Sequence, residues 1–521
     1  MARKGSESAA ASGHETAGAP AFATPHRTGG GGLQGSGSPG SGSSPKESRR
    51  WLKPRVRQAE IGRLAPPRPR LRRLGVTDGW RRVRSLLWNW WLWFTAAAVL
   101  LYAGQHVLPA ALAAFAIICY NMVPEPQPAV YAIETNLDPG TEEFRVTMEG
   151  ATGMPLVQGN RVQIFNNGDV FYPAMLEVIE SARHSVTMEQ YIFWDGAVGR
   201  RFAEAFAERA RAGVEVKLLV DAIGSSTIGE TILRTLESAG CQLAWFRPIH
   251  WYTLNRANRR THRKSLIVDG AVAFTGGAGL ADQWLGLAAN HHEWRDIQVR
   301  VEGPAALAQQ AGFAQNWLLT TGELLTGAGY FPYSDHLGGI EVQTILSSPF
   351  NGASAAATMV LIAMQSAREC LYIANPYFIP DARVIAMLSD ASTRGVAVKL
   401  MLSGPDCDSW WTRQNSVRLY GKLLQAGVEI YEYQPTMLHQ KTMVVDRAWG
   451  TVGTTNLDNR SFSFNEETNV CFHDPVLVKQ LESIFIEDLA RCRKIEWEEW
   501  RRRGHWQQAC EITASLLEDQ V

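Results

Sequence analysis

The chain has 521 residues, 45% of them hydrophobic and 20% charged, enough for two or three folded domains and too apolar for a wholly disordered protein. Lysine plus arginine and aspartate plus glutamate each number 51, and a formal net charge of zero argues against bulk attraction to nucleic acid. Seven scattered cysteines, an odd number without a C-x-x-C pair, argue against a disulfide framework and a zinc site and suit a reducing compartment.

Residues 1–48 are rich in Gly, Ser, Ala and Pro, with GGGGLQGSGSPGSGSSP at the extreme. With almost nothing to bury, they are expected to be a disordered tail. No apolar core follows Met1 directly, so the start does not read as a signal peptide. Residues 49–84 form a basic juxtamembrane segment, as in RLAPPRPRLRRLG and WRRVR. Residues 85–123 then contain no Asp, Glu, Lys or Arg. At about 20 residues per bilayer crossing the stretch is too long for one ordinary span, and Gly104-Gln105-His106 divides it in two. The expectation is a transmembrane hairpin, with Trp88, Trp90, Trp91 and Trp93 as an aromatic belt beside the arginines. One long tilted helix is the alternative. Arginines ahead of the first run place the N-terminus in the cytoplasm, and a hairpin returns the rest of the chain to that side. Residues 124–158 read as a linker.

From about Arg161 strand patterns alternate with helix patterns, which predicts an α/β fold. The pattern also repeats. GNRVQIFNNG from Gly159 resembles GIEVQTILSS from Gly339, RARAGVEVKLLV resembles ASTRGVAVKLML, and LRTLESAGCQLAWF resembles YGKLLQAGVEIYEY. A period of about 180 residues is too long for a solenoid and predicts two fused copies of one α/β unit, 159–330 and 331–494. Residues 495–521 are left as a C-terminal tail, where RCRKIEWEEWRRRGHW suggests an interfacial amphipathic helix.

Each copy carries the same short motif. THRKSLIVDG holds His262, Lys264 and Asp269, and LHQKTMVVDR holds His439, Lys441 and Asp446, both as H-x-K-x-x-x-x-D. A small turn follows each: Gly276-Gly277-Ala278-Gly279 and Gly453-Thr454-Thr455-Asn456. Lysine is scarce here, 10 against 41 arginines, so its place in both motifs is informative. On a strand, His and Lys at i and i+2 share a face, and a Lys ammonium is a compact charge suited to a phosphate oxygen. If both halves converge, one imidazole can attack phosphorus while the other, protonated, serves the leaving alkoxide. Each histidine then needs a carboxylate. The candidates are Asp296 in HHEWRDIQV and Glu467 in FNEETNV, at aligned positions, with Asp296 taken as the orienting group for the first motif. Asp269 and Asp446, at the far strand ends, are expected to support the motif structurally. His291-His292-Glu293 does not read as a metal site, because neighbours on a strand point apart and a catalytic zinc needs three convergent ligands. No metal or cofactor is expected.

The duplicated motif and its turns resemble the phospholipase D superfamily, and within it the bacterial cardiolipin synthases, over about Gly159 to Arg493. The resemblance implies two fused phospholipase D-like α/β/α domains with the active site at their interface. It implies that His262, Lys264, Asp269, His439, Lys441 and Asp446 form the catalytic set. His262 would be the nucleophile and His439 the general acid, then base, the direction being the open part. Lys264, Lys441 and Asn456 would bind phosphate, and Gly279 stands where the family has a second Asn. The expected activity is phosphatidyl transfer joining two phosphatidylglycerols with release of glycerol, at a bacterial inner membrane with the catalytic part on the cytoplasmic side. The expected partners are anionic phospholipid and membrane, not nucleic acid, with the oligomeric state open. Rival readings are a hydrolytic phospholipase D, a membrane-tethered nuclease and a non-catalytic scaffold. WFRPIHWYTLNRANRR, from Trp245 to Arg260, interleaves aromatics with arginines as an interfacial lip or phosphate rim would.

Overall fold

The computed structural model describes residues 90–104, 106–122, 136–249, 258–333, 335–349 and 354–518. The expected disordered tail, the basic segment and residues 250–257 of the expected lip lie outside them. Helices α1 (Trp90–Tyr102) and α2 (Val107–Met122) fall within the expected membrane hairpin, separated near Gly104, whose φ of +81° suits a residue without Cβ. Trp93 and Phe115 meet edge-on at 5.2 Å, so the two helices contact each other. At 1.5 Å per residue they extend only about 20 and 24 Å, short of a bilayer core of about 30 Å. Among the described residues no helix is long and apolar enough to cross a membrane, so the expected transmembrane helices are not shown.

Among the described residues seven strands precede residue 330: β1 (Leu156–Asn166), β2 (Ser185–Gln190), β3 (Glu215–Asp221), β4 (Gln242–Phe246), β5 (Ser265–Val268), β6 (Val272–Gly276) and β7 (Ile297–Glu302). Ten follow: β8 (Ile340–Ser347), β9 (Cys370–Asn375), β10 (Phe378–Ile379), β11 (Ala397–Ser403), β12 (Glu429–Tyr433), β13 (Thr442–Val445), β14 (Trp449–Gly453), β15 (Leu457–Asp458), β16 (Glu467–Phe472) and β17 (Cys492–Ile495). Fifteen of them form one sheet, ordered β17-β12-β11-β9-β13-β14-β16-β8-β1-β7-β6-β5-β2-β3-β4. The order reads the same outward in both directions from the β8–β1 junction, apart from the extra edge strand β17. The repeat in the sequence is therefore a repeat in topology. The halves join edge to edge through antiparallel β1–β8 pairing, with a register shift between Val157 and Asn160.

The apolar runs explain which strands lie inside. VKLLV in β3 and VKLML in β11 sit in parallel trios, β2-β3-β4 and β9-β11-β12, whose helical crossovers cover the sheet. Such strands are buried on both faces and read as continuous rather than alternating apolar segments. Just before these strands Gly213 and Gly395 have φ of +90° and +95°, a left-handed turn that a Cβ would strain. Among the described residues one apolar core fills the second half, two lie in the first, and a fourth spans the halves, with Val162, Ile164 and Val299 against Val342, Val470 and Phe472.

Two expected boundaries move. The described part of the presumed linker contains the helix Glu142–Thr152, whose Phe144 and Met148 are buried in the core of the second half, and β1 already begins at Leu156. The tail is also folded. Helices Trp497–Arg501 and His505–Ala514 lie against the helix Trp410–Gln425, where Trp500 Nε1 donates to Val417 O at 2.7 Å and Asn415 Nδ2 to Ala514 O at 2.8 Å. A Trp whose ring is apolar and whose N–H finds a carbonyl is well suited to docking of this kind.

Candidate active site

The motif histidines sit just before β5 and β13, where the chain leaves its own half and touches the other. His262 N donates to Glu466 O at 2.9 Å and Glu466 N donates to Arg260 O at 2.9 Å. In the mirror copy, His439 N donates to Arg295 O at 2.8 Å and Arg295 N to Met437 O at 2.9 Å. Each motif is thus bridged to the segment leading into the opposite half's carboxylate strand. The carboxylates are exchanged as a result. His262 Nδ1 lies 3.0 Å from Glu467 Oε2, and His439 Nδ1 lies 2.8 Å from Asp296 Oδ2. This corrects the expectation that Asp296 serves the first motif: it belongs to the second.

Two buried arginines strengthen the crossing. Arg263 reaches Glu466 Oε2 at 3.1 Å, and Arg295 reaches Asp488 Oδ2 at 2.8 Å. Buried charges need such partners, and both pairs connect opposite halves. Sequence reasoning missed them, although each arginine adjoins a residue it did single out.

His262, Lys264, His439 and Asn456 line one cavity of about 320 Å³. Tyr191, Trp294, Tyr377, Asp408, Arg260 and Arg460 complete much of its wall. Lys264 Nζ donates to His262 O at 3.0 Å. Lys441 Nζ stands 3.1 Å from His439 Nδ1 and donates to His439 O, so it lies directly against that ring. Asn456 Oδ1 is buried without a hydrogen-bond partner among the described residues.

Asp269 and Asp446 are not brought to the cavity. Asp269 accepts the backbone N–H groups of Arg183, His184 and Ser185 at 2.9, 2.7 and 2.8 Å. Asp446 accepts those of Arg368, Glu369 and Cys370 at 2.8, 2.8 and 2.9 Å. Each thus ties the far end of its motif strand to the start of the neighbouring one, β2 or β9.

The two carboxylates are held differently. Glu467 takes the Thr454 hydroxyl, whereas Asp296 takes Trp284 Nε1 at 2.9 Å and Ile297 N at 2.8 Å. The difference follows from crowding in the first turn. A Cβ on Gly277 would stand 2.3 Å from Asp296 Oδ1 and 2.7 Å from His439 O, so no threonine fits there. Gly279 is equally confined: its Cβ would come within 2.8 Å of Ile192 Cβ. No side chain replaces Asn on that side, and the Gly279 carbonyl instead accepts the Tyr172 hydroxyl at 2.7 Å.

Burial dominates the protonation states. It draws His262 down to about 4 against the opposing pull of Glu467, and draws His439 down to about 3, with Lys441 adding to the effect. Both imidazoles are neutral at neutral pH, with Nδ1–H directed at the carboxylate; the Nε2 lone pair of His262 then faces no donor among the described residues, whereas Lys441 Nζ stands 3.3 Å from His439 Nε2. Burial and then the charge of Lys441 bring Lys264 to about 7; burial brings Lys441 to about 8 despite Asp296 and Glu467. Burial pushes Asp296 and Glu467 up, but their paired histidines and nearby lysines outweigh it and hold both below the usual carboxylate range. His291 and His292 are exposed, and the Glu293 carboxylate is occupied by the N–H groups of Leu287 and Ala289, both at 3.0 Å.

A family profile described as "Cardiolipin synthase, PLD-like domain" matches residues 175–311 and 360–489, one stretch in each half. The chain belongs to the PLD-like cardiolipin synthase family. A cardiolipin synthase 1 of Bacillus cereus is 32% identical over 362 residues, covering 68% of this chain and 71% of that protein. A cardiolipin synthase of Listeria welshimeri is 31% identical over 368 residues, covering 70% and 76%. Among solved structures, a phosphatidylserine synthase of Haemophilus influenzae aligns with a TM-score of 0.55 at 11% identity, over 73% of this chain and all of that one, a likeness of fold. The protein is an enzyme of the phospholipase D type, a phosphatidyltransferase.

Proposed function

We propose that this enzyme joins two phosphatidylglycerols into cardiolipin and releases glycerol, through a phosphohistidine. The observation that carries the reading is the pair of crossed His–carboxylate contacts at a single cavity. His262 Nε2 attacks phosphorus, the bond from phosphorus to the glycerol oxygen breaks, and His439 hands that oxygen a proton. A second phosphatidylglycerol then gives the proton of its hydroxyl to His439 as its oxygen displaces His262. The neutral state of His262 suits a nucleophile. A bound phosphodiester brings negative charge between the lysines, which raises His439 toward the protonated form it needs first. Lys264, Lys441 and Asn456 are read as the phosphate contacts, and Asp296 and Glu467 as the groups orienting the rings. The two repeats are read as 159–330 and 331–494.

A lipid substrate is supported at the rim. Trp410 and Trp411 are 46% and 42% exposed, between Ser409 and Thr412, which line the cavity. Exposed tryptophans of this kind suit a headgroup interface. Exposed Phe94, Val99, Leu101, Val107 and Phe115 on α1 and α2 support attachment to a bilayer. The location read from this is the bacterial cell membrane; the cytoplasmic side rests on the arginines of 49–84.

The deciding experiment supplies labelled phosphatidylglycerol to the purified protein in detergent and follows cardiolipin, glycerol and phosphatidic acid. Equal amounts of cardiolipin and glycerol are expected. Phosphatidic acid without cardiolipin would replace transfer by hydrolysis.

A further inference from the structure

Around the histidines the cavity wall carries Lys264, Arg260 and Arg460 against the carboxyls of Asp408 and Asp458, the latter raised by burial to about 7, and one part of that wall is built to accept and donate hydrogen bonds to neutral groups. Asp408 stands at the rim, immediately before Ser409, the N-cap of the helix Trp410–Gln425. The Tyr377 hydroxyl donates to both Asp408 oxygens at 2.8 Å, and its ring lies 6.1 Å from that of His439. The Cys407 thiol, 4.0 Å from Oδ1, and the backbone N–H groups of Asp408 and Ser409 also face this carboxylate, and its two oxygens, with about four lone-pair sites, keep room for a hydroxyl at the cavity. Ser409 Oγ accepts the Thr412 hydroxyl at 2.7 Å and the Thr412 N–H at 3.3 Å, which leaves its own proton to donate.

A carboxylate at the edge of a phosphate site opposes the anion it faces, so Asp408 does not serve the phosphate. A cationic headgroup is disfavoured by the lysine and arginines sharing the wall. What fits an acceptor beside a hydroxyl donor is a chain of hydroxyl groups, each of which does both. We propose that Asp408 and Ser409, with Asp408 positioned by Tyr377, form a subsite for the hydroxyls of a glycerol-class headgroup on the His439 side of the cavity. The inference rests on the phosphatidyl-transfer reading and names what selects the alcohol in that reaction. His439 is the histidine assigned to the alcohol oxygen, so a subsite beside it bears on the leaving and the entering alcohol alike.

The test supplies unlabelled phosphatidylglycerol as donor and, in competition, isotopically labelled glycerol, 1,2-propanediol and 1-propanol, three acceptors of one carbon skeleton that lose hydroxyls in steps, with labelled ethanolamine and choline beside them. Wild-type protein is expected to favour them in that order. D408A should reduce the preference for glycerol over 1-propanol about tenfold or more, through KM for the polyol, because a lost partner for a substrate hydroxyl discriminates strongly. D408N, which keeps an acceptor oxygen, should restore most of it. Y377F should reduce it about threefold, as a positioning residue would, without a matching loss of thermal stability. An unchanged preference in D408A, or wild-type preference for ethanolamine or choline, overturns the subsite while leaving transfer intact. Wild-type protein that cleaves the donor but passes the phosphatidyl group only to water overturns the transfer reading and the subsite together.

Discussion

The two halves share a topology and a motif but support their histidines by different means. On the His262 side, the carboxylate Glu467 is steadied by the Thr454 hydroxyl, and Asn456 stands in the same turn. On the His439 side, Asp296 is steadied by Trp284, and Gly277 and Gly279 stand where the other turn has Thr454 and Asn456, because Asp296, the backbone of His439 and the side chain of Ile192 leave no room. The backbone bridging of the histidines and the end of the motif are alike in kind, with Asp269 and Asp446 each collecting three backbone N–H groups. Duplication preserved what ties strands together, and the turns diverged where only one half needs a polar contact. The difference also indicates that the two histidines are not interchangeable.

That asymmetry can be broken most sharply at the histidines. H262A and H439A should each lower turnover by about 10⁴-fold or more. H439N should still accumulate a phosphohistidine from radiolabelled donor, and H262A should not. Label appearing in H262A instead would reverse the two roles. The carboxylates come next. D296N and E467Q should each cost about 10²- to 10⁴-fold in kcat by disturbing the partner ring's tautomer. Because the pairs are crossed, E467Q should act on the nucleophile His262, whereas D296N should slow both steps served by His439, protonation of the leaving glycerol and capture of the intermediate, which rapid-quench kinetics follows separately.

A smaller effect is expected in the turns. N456A should lose about tenfold to a thousandfold in rate, as removal of one donor to a developing charge does. G279N should gain no rate and instead lose about 1–3 kcal/mol of stability from overpacking against Ile192. Unfolding midpoints and kcat for both variants check this; faster turnover in G279N would mean that the first turn does lack a contact. D269N and D446N should lose about 1–3 kcal/mol of stability with kcat per folded molecule nearly unchanged, and by similar amounts in the two halves.

The lysines give a pH test of the shared site. Their protonated forms are disfavoured by burial, so charge is lost as pH rises through about 7 for Lys264 and about 8 for Lys441. The kcat/KM of the free enzyme should therefore fall as pH rises through that window, and fall again below about 4 as His262 takes up a proton. K264R keeps its charge, so its alkaline limb should move upward.

Much of this was legible in the sequence, and the remainder has a common physical origin. The α/β class, the repeat and the two motifs follow from local patterns: apolar runs, turn glycines and a fixed spacing of His, Lys and Asp. Asp296 and Glu467 could be found because the repeat aligns them. Which histidine each one meets could not, since the choice rests on backbone hydrogen bonds between residues such as His262 and Glu466. Arg263 and Arg295 were hidden for the same reason, among the chain's many arginines. The helix Glu142–Thr152 was passed over as linker because its buried face, Phe144 and Met148, has no meaning until the core of the second half stands beside it. Gly279 looked like a missing Asn, and only the position of Ile192 shows that a side chain has no space there. Asp408 and Tyr377 carry no motif and lie 31 residues apart. The sequence by itself thus determined the chemistry available to the protein, two imidazoles and two ammonium groups in repeated strands. Tertiary structure alone decided how they are shared, because partners that meet across two halves of a sheet are set by long-range packing, which local residue patterns do not encode.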